Sequence, residues 1–114
     1  MRQQTIYVIQ MAIPSEHDEE FERWNAEEHL AERLACPGFV GVQRFRLESD
    51  AARGSRPADP GTNRHLTIYE LEHPGVLSSP EYLAATATPT EWTRRMAGIM
   101  TVELREVYTR LVPD

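Results

Sequence analysis

Residues 5 to 13, TIYVIQMAI, are rich in β-branched and aromatic side chains and are bounded by Pro14 and Ser15, the pattern of a buried strand. Ser15 directly after Pro14 is a good N-cap, and Glu16, Asp18 and Glu19 supply the acidic first turn that a helix dipole favours. A helix is therefore predicted to about Ala35, where Cys36-Pro37-Gly38 stops it. FVGVQRFRLES, from residue 39 to 49, reads as a second strand. Residues 50 to 63, DAARGSRPADPGTN, have no apolar periodicity and read as a solvent-exposed hairpin loop. HLTIYELE (65 to 72) is a third strand, broken by His73-Pro74-Gly75. Ser79-Pro80 opens a short helix to about Ala87. Thr88-Pro89-Thr90-Glu91 opens another, which carries Trp92 and Met96 and ends at Gly98. Residues 99 to 112, IMTVELREVYTRLV, form the last strand.

The order β-α-β-β-α-β predicts an α+β, ferredoxin-like single domain over residues 1 to 114: a four-stranded antiparallel sheet with both helices on one face. Alternation then exposes a difficulty. The first strand is apolar on both sides, with Tyr7, Ile9, Met11 and Ile13 one way and Ile6, Val8 and Ala12 the other. In the second strand Phe39, Phe45 and Leu47 alternate with Val40 and Val42, which makes it two-sided as well. A second sheet is the economical cover for the bare face, so the expected partner is a second copy of the chain, packed sheet to sheet as a homodimer.

Composition narrows the partners. A formal net charge of −6 and a pI near 5.2, with scattered arginines, argue against nucleic acid and anionic membranes. The N-terminal apolar run is too short for a secretory h-region or a membrane span, and one cysteine, Cys36, makes no intramolecular disulfide, so a cytoplasmic protein is expected. His17, His29, His65 and His73 show no metal-ligand spacing, and no phosphate loop, dinucleotide fingerprint or nucleophile elbow occurs. Haem would need an axial ligand such as His29 or His65, but nothing selects for it. The expectation is no metal and no cofactor.

The densest chemistry lies in FERWNAEEHLAERLACPGF, residues 21 to 39. At 100° per residue Phe21, Trp24, Glu28, Ala31 and Ala35 share one helical face, with Asn25 and His29 on its flank. Glu28 on an apolar face is either paired with a cation, raised in pKa by desolvation, or reaching water at a frayed edge. His29 titrates near neutrality and suits a general acid or base, the alternative being a core histidine bonded to backbone. Asn25 either fixes the His29 tautomer, binds a substrate carbonyl, or sits at the surface. Trp24 and Trp92 are core residues or pocket walls. In the third strand His65 and Tyr69 share a face, which Tyr7 joins if the first and third strands pair. Arg44 and Arg46 suit a carboxylate or enolate, unless Arg44 pairs with Glu70 or Glu103.

The pieces W-N-x-E-E-H-L at Trp24 to Leu30, P-G-F at Pro37 to Phe39, L-T-I-Y-E-L at Leu66 to Leu71, S-P-E-Y at Ser79 to Tyr82 and P-T-E-W-T at Pro89 to Thr93 resemble the dimeric α+β barrel proteins, and among them EthD-like and small polyketide-cyclase-like bacterial proteins. The resemblance implies a pocket between helices and sheet, entered at one end of the monomer, on a scaffold shared by cofactor-free monooxygenases, lactone isomerases, polyketide cyclases and haem-handling enzymes. It points to His29 as the acid or base, with Asn25 and Arg44 polarising an oxygen. Tyr7, Trp24, Glu28, His65, Tyr69, Tyr82 and Trp92 are the expected binding residues for a small apolar, aromatic or polyketide-like ligand. Some relatives also carry a working histidine just after the third strand, where His73 stands here; it ranks below His29. The chemistry implied is isomerisation, cyclisation, dehydration or cofactor-free oxygenation. The rival is a dimer that only sequesters a ligand.

Overall fold

A computed structural model describes residues 4 to 111. Four strands, β1 (Thr5–Pro14), β2 (Phe39–Arg46), β3 (Thr62–Leu71) and β4 (Thr101–Thr109), form one sheet in the order β2-β3-β1-β4. All three pairings are antiparallel, and the helices cover one face. This is the ferredoxin-like arrangement that the element order predicts. Among the described residues no helix is long and apolar enough to cross a membrane.

The first helical run is continuous but not uniform. A turn of 3-10 helix (Ser15–His17) leads into α1 (Asp18–Trp24), a π-helical segment spans Asn25–His29, and α2 (Leu30–Leu34) completes it. Ser15 does not cap this helix. Its hydroxyl donates to Asn63 at 3.2 Å and its amide to the Gly61 carbonyl, so it ties the helix start to β3 instead. Gly38 then turns the chain with φ +95, and a Cβ there would fall 2.5 Å from a Val76 methyl. Backbone and packing both demand glycine at that step of the P-G-F motif.

After β3 a turn of 3-10 helix (Pro74–Ser78) comes first, held by His73, whose ring accepts from the Gly75 amide at 3.1 Å. Ser79 caps α3 (Pro80–Ala87) as expected, accepting from the Tyr82 amide, and Thr90 caps α4 (Glu91–Ile99) by accepting from the Thr93 amide. α4 runs past Gly98. The strand edges also move: β3 begins at Thr62, inside the segment expected to be loop, and β2 ends at Arg46.

The core is the helix-covered face: Tyr7, Ile9, Met11 and Ile13 from β1 meet Phe21 and Trp24 from α1 and Met96 from α4. One parity prediction fails. A bulge between Phe39 and Gly41 shifts the β2 register, so Phe39 and Val42 both face the helices while Phe45, opposite Leu66, faces away. On the helix-free face the register sets Val8 opposite Ile68, Ile6 opposite Tyr108 and Gln10 opposite Leu104. Phe45 and Tyr108 there are each 48% exposed, which leaves an apolar sheet surface without a cover in the single chain.

Candidate functional site

Between the helices and the sheet lies a cavity of about 210 Å³. β1 contributes Tyr7, Ile9 and Met11 to its floor, β3 contributes Tyr69, and β4 contributes Val102 and Arg105. The walls come from Trp24, His29 and Arg33 on the first helical run and from Tyr82, Thr86, Thr93 and Ala97 on the last two helices. A roomier groove, along Phe45, Leu47, Leu66 and Gln10, opens on the sheet edge and its helix-free side.

His29 enters this cavity because the π segment adds one residue to the turn. Its imidazole stacks on the Trp24 indole, centroids 4.1 Å apart and planes 15° from parallel. The indole is locked in turn by a 3.2 Å hydrogen bond from its Nε1 to the Thr93 hydroxyl. The Nδ1 of His29 is buried and has no hydrogen-bond partner among the described residues. Burial first, then the positive charges of Arg33 and Arg44, pushes the His29 pKa down to about 3, so the ring is neutral at physiological pH. An orphaned, buried imidazole nitrogen beside a cavity is the kind of atom a ligand satisfies.

Three tyrosines complete the aromatic lining. Tyr7 and Tyr69 face each other across the β1–β3 register with centroids 6.1 Å apart, and Phe39 meets Tyr69 edge-on at 5.2 Å. Arg105 donates to the Tyr7 hydroxyl at 2.9 Å, and the Arg33 guanidinium lies 5.9 Å above the Tyr82 ring. Burial pushes the Tyr69 hydroxyl up to about 12 and raises Tyr82 as well, which keeps both as neutral donors.

Of the residues singled out in the sequence, Tyr7, Trp24, His29, Tyr69 and Tyr82 come together around the cavity. The others are engaged elsewhere. Asn25 is buried, not at the surface, and its amide donates to the Phe21 carbonyl at 3.0 Å inside the helix. Glu28 leaves the apolar face and accepts from the Thr90 and Thr93 hydroxyls at 2.7 and 3.2 Å, fastening the π segment to the start of α4. Trp92 donates to Glu20, a carboxylate that the Arg95 fork holds down at about 2. Arg44 pairs with neither Glu70 nor Glu103; it forks onto Glu22 at 2.8 Å through both terminal nitrogens. His65 is buried and its Nε2 lies 2.6 Å from Asp18.

Asp18, Glu22 and His65 bring potential metal-ligand atoms within 4.8 Å of one another. The same atoms are committed to the Arg44 fork and to the His65–Asp18 contact, so the cluster is balanced as an ion-pair network that pins the first helix to β2 and β3. Two cavity residues, Arg33 and Arg105, went unnoticed in the sequence. Arg33 stands four residues after His29, a spacing that puts both on one helical side; Arg105 has no such local signal, because its position depends on pairing opposite Ile9.

No protein-family model matches the chain, and no curated protein matches it in sequence. Solved structures do. HapK from Hahella chejuensis is similar at TM-score 0.61 and 10% identity, over 97% of this chain and 95% of that one. A dimeric ferredoxin-like protein from an uncultured marine organism has TM-score 0.60 and 8% identity, over 97% and 99%. An EthD-family protein from Bacillus halodurans has TM-score 0.58 and 10% identity, over 94% and 99%. At these identities the likeness is one of fold, and it places the chain in the ferredoxin-like architecture that EthD-like proteins share.

Proposed function

We propose that this chain is a cytoplasmic homodimer, packed through the helix-free faces of its sheets, whose cavity binds a small aromatic or polyketide-like molecule and runs cofactor-free proton-transfer chemistry on it. His29 is the acid and base. The observation that carries this reading is the buried, unpartnered Nδ1 of His29 held against Trp24 at the cavity wall. A neutral imidazole nitrogen in that position can accept a proton from an activated C–H of the ligand. The Tyr69 hydroxyl, neutral at physiological pH, lines the same cavity and can hydrogen-bond the enolate oxygen that results. Return of the proton to another atom gives isomerisation, and loss of a β-hydroxyl gives dehydration. Asn25 and Arg44 have no part in this scheme, because neither lines the cavity: the Asn25 amide donates to the Phe21 carbonyl and the terminal nitrogens of Arg44 fork onto Glu22.

A second reading has its own support. A histidine with a pKa near 3 is a weak base in the empty cavity, which favours a protein that holds its ligand without transforming it. Deuterium exchange at C2 of cyclohexanone at neutral pH separates the two. The catalytic reading expects the native protein to speed exchange of the bound probe and His29→Ala to lose about a hundredfold or more of that rate while binding within a few-fold as tightly. Binding without acceleration by the native protein overturns catalysis and leaves the ligand-holding reading.

The dimer is supported by the uncovered apolar sheet face of Val8, Phe45, Ile68 and Tyr108, and by a dimeric protein among the fold's solved structures.

A further inference from the structure

The cavity is cationic in an acidic protein. The chain has 18 Asp and Glu residues against 12 Lys and Arg, yet the cavity lining holds Arg33, Arg105 and His29 and not one carboxylate. Elsewhere in the fold other arginines are neutralised: Arg44 on Glu22, Arg64 on Glu103 and Asp59, Arg95 on Glu20. Arg33 and Arg105 are different. Among the described residues neither forms an ion pair; Arg33 sits over the Tyr82 ring and Arg105 donates only to the Tyr7 hydroxyl.

These two arginines come from different layers, Arg33 from α2 and Arg105 from β4, and line the same cavity. Both act on the Tyr82 hydroxyl, and Arg33 acts also on Tyr69 and His29. A guanidinium keeps its charge when partly desolvated and presents a planar fork that matches a carboxylate. Two such forks, flanked by the Tyr82 ring and the Tyr7 hydroxyl and facing an aromatic cavity, describe a receptor for one charged end of a flat molecule. At about 210 Å³ the space lies below the roughly 300 Å³ at which pockets for drug-sized ligands begin, so a single ring is the body that fits.

We propose that the ligand of this cavity is a monocyclic organic acid, its carboxylate held by Arg33 and Arg105 and its ring set against Trp24, Tyr69 and His29. This rests on the cavity being the binding site. An anion beside Arg33 also offsets part of the positive charge that, after burial, holds the His29 pKa down.

Benzoate and benzamide, which share a ring and differ in charge, test this by titration calorimetry on the full chain at neutral pH. The expected result is benzoate binding about tenfold or more tighter than benzamide, a preference that shrinks as salt rises. Arg33→Gln and Arg105→Gln each reduce benzoate affinity about tenfold and leave benzamide unchanged. Arg94→Gln, on the exposed side of α4, changes neither and controls for net charge. Circular dichroism confirms that each variant is folded. Equal affinity for the two probes overturns the anion assignment while the cavity reading stands. No binding of either probe at millimolar concentration overturns both.

Discussion

Trp24 and His29 stack ring on ring at 4.1 Å, although they stand five positions apart in the chain. In a regular α-helix such positions point about 140° apart, since each residue turns roughly 100°. The π segment at Asn25–His29 takes up one extra residue, so the fifth position lands where the fourth would have been. Glu28, the α-helical neighbour of Trp24, is displaced toward Thr90 and Thr93, and His29 takes its place at the cavity.

Deleting the exposed Ala26 removes that extra residue while leaving both flanking helices in place. Trp24 and His29 then stand four apart in an unbroken α-helix and remain neighbours. The expected stability is within about 1 kcal/mol of native, with benzoate binding kept. Unfolding of the deletion variant in a thermal melt contradicts the view of the bulge as a simple one-residue insertion.

His29 gives the fold a pH signature. The unfolded chain protonates this ring below the ordinary histidine value of 6.5, and the folded chain only near 3. Between those values the unfolded state binds more protons, so stability is full above pH 6.5 and falls as the pH drops through the window, by at most about 1.4 kcal/mol per pH unit. From pH 7 to 5 the native protein should lose about 2 kcal/mol relative to His29→Gln in urea titrations. Parallel profiles for the two proteins would show that the folded histidine protonates normally.

Glu28 acts on stability alone. Its carboxylate accepts from Thr90 and Thr93 and is absent from the cavity lining. Glu28→Ala should cost about 1 to 3 kcal/mol, read as a lowered Tm, and leave benzoate affinity unchanged. A loss of affinity larger than that of Arg33→Gln places Glu28 in binding after all.

The sheet face predicts an assembly. Ile68 lies at the centre of the helix-free surface, opposite Val8 and Gln43. Light scattering on the native protein should give twice the 13.1 kDa chain mass at micromolar concentration, and Ile68→Glu should give a folded monomer, because a charge buried between two apolar sheets has no partner. A native monomer rules the dimer out.

Much of this molecule is legible from the chain. Runs rich in β-branched and aromatic residues mark the strands, Pro14 and Pro37-Gly38 mark the first helical run, and Ser79 and Thr90 mark the last two helices, because each signal is local. Strand edges slip where a bulge or a turn of 3-10 helix intervenes.

The site divides along the same line. The sequence by itself put an indole on the face and an imidazole on the flank of one helix, and put Tyr69 with His65 on one face of the third strand, which Tyr7 joins if the first and third strands pair. It could not show that the helix takes up an extra residue after Trp24, since α and π turns differ by one hydrogen bond and not by composition. Nor could it pair Arg105 with Ile9, or direct Arg44 to Glu22, contacts made across 96 and 22 residues of chain. Tertiary structure alone decided which charges are cancelled in ion pairs and which two, Arg33 and Arg105, stay at the cavity, because that balance depends on distance in space.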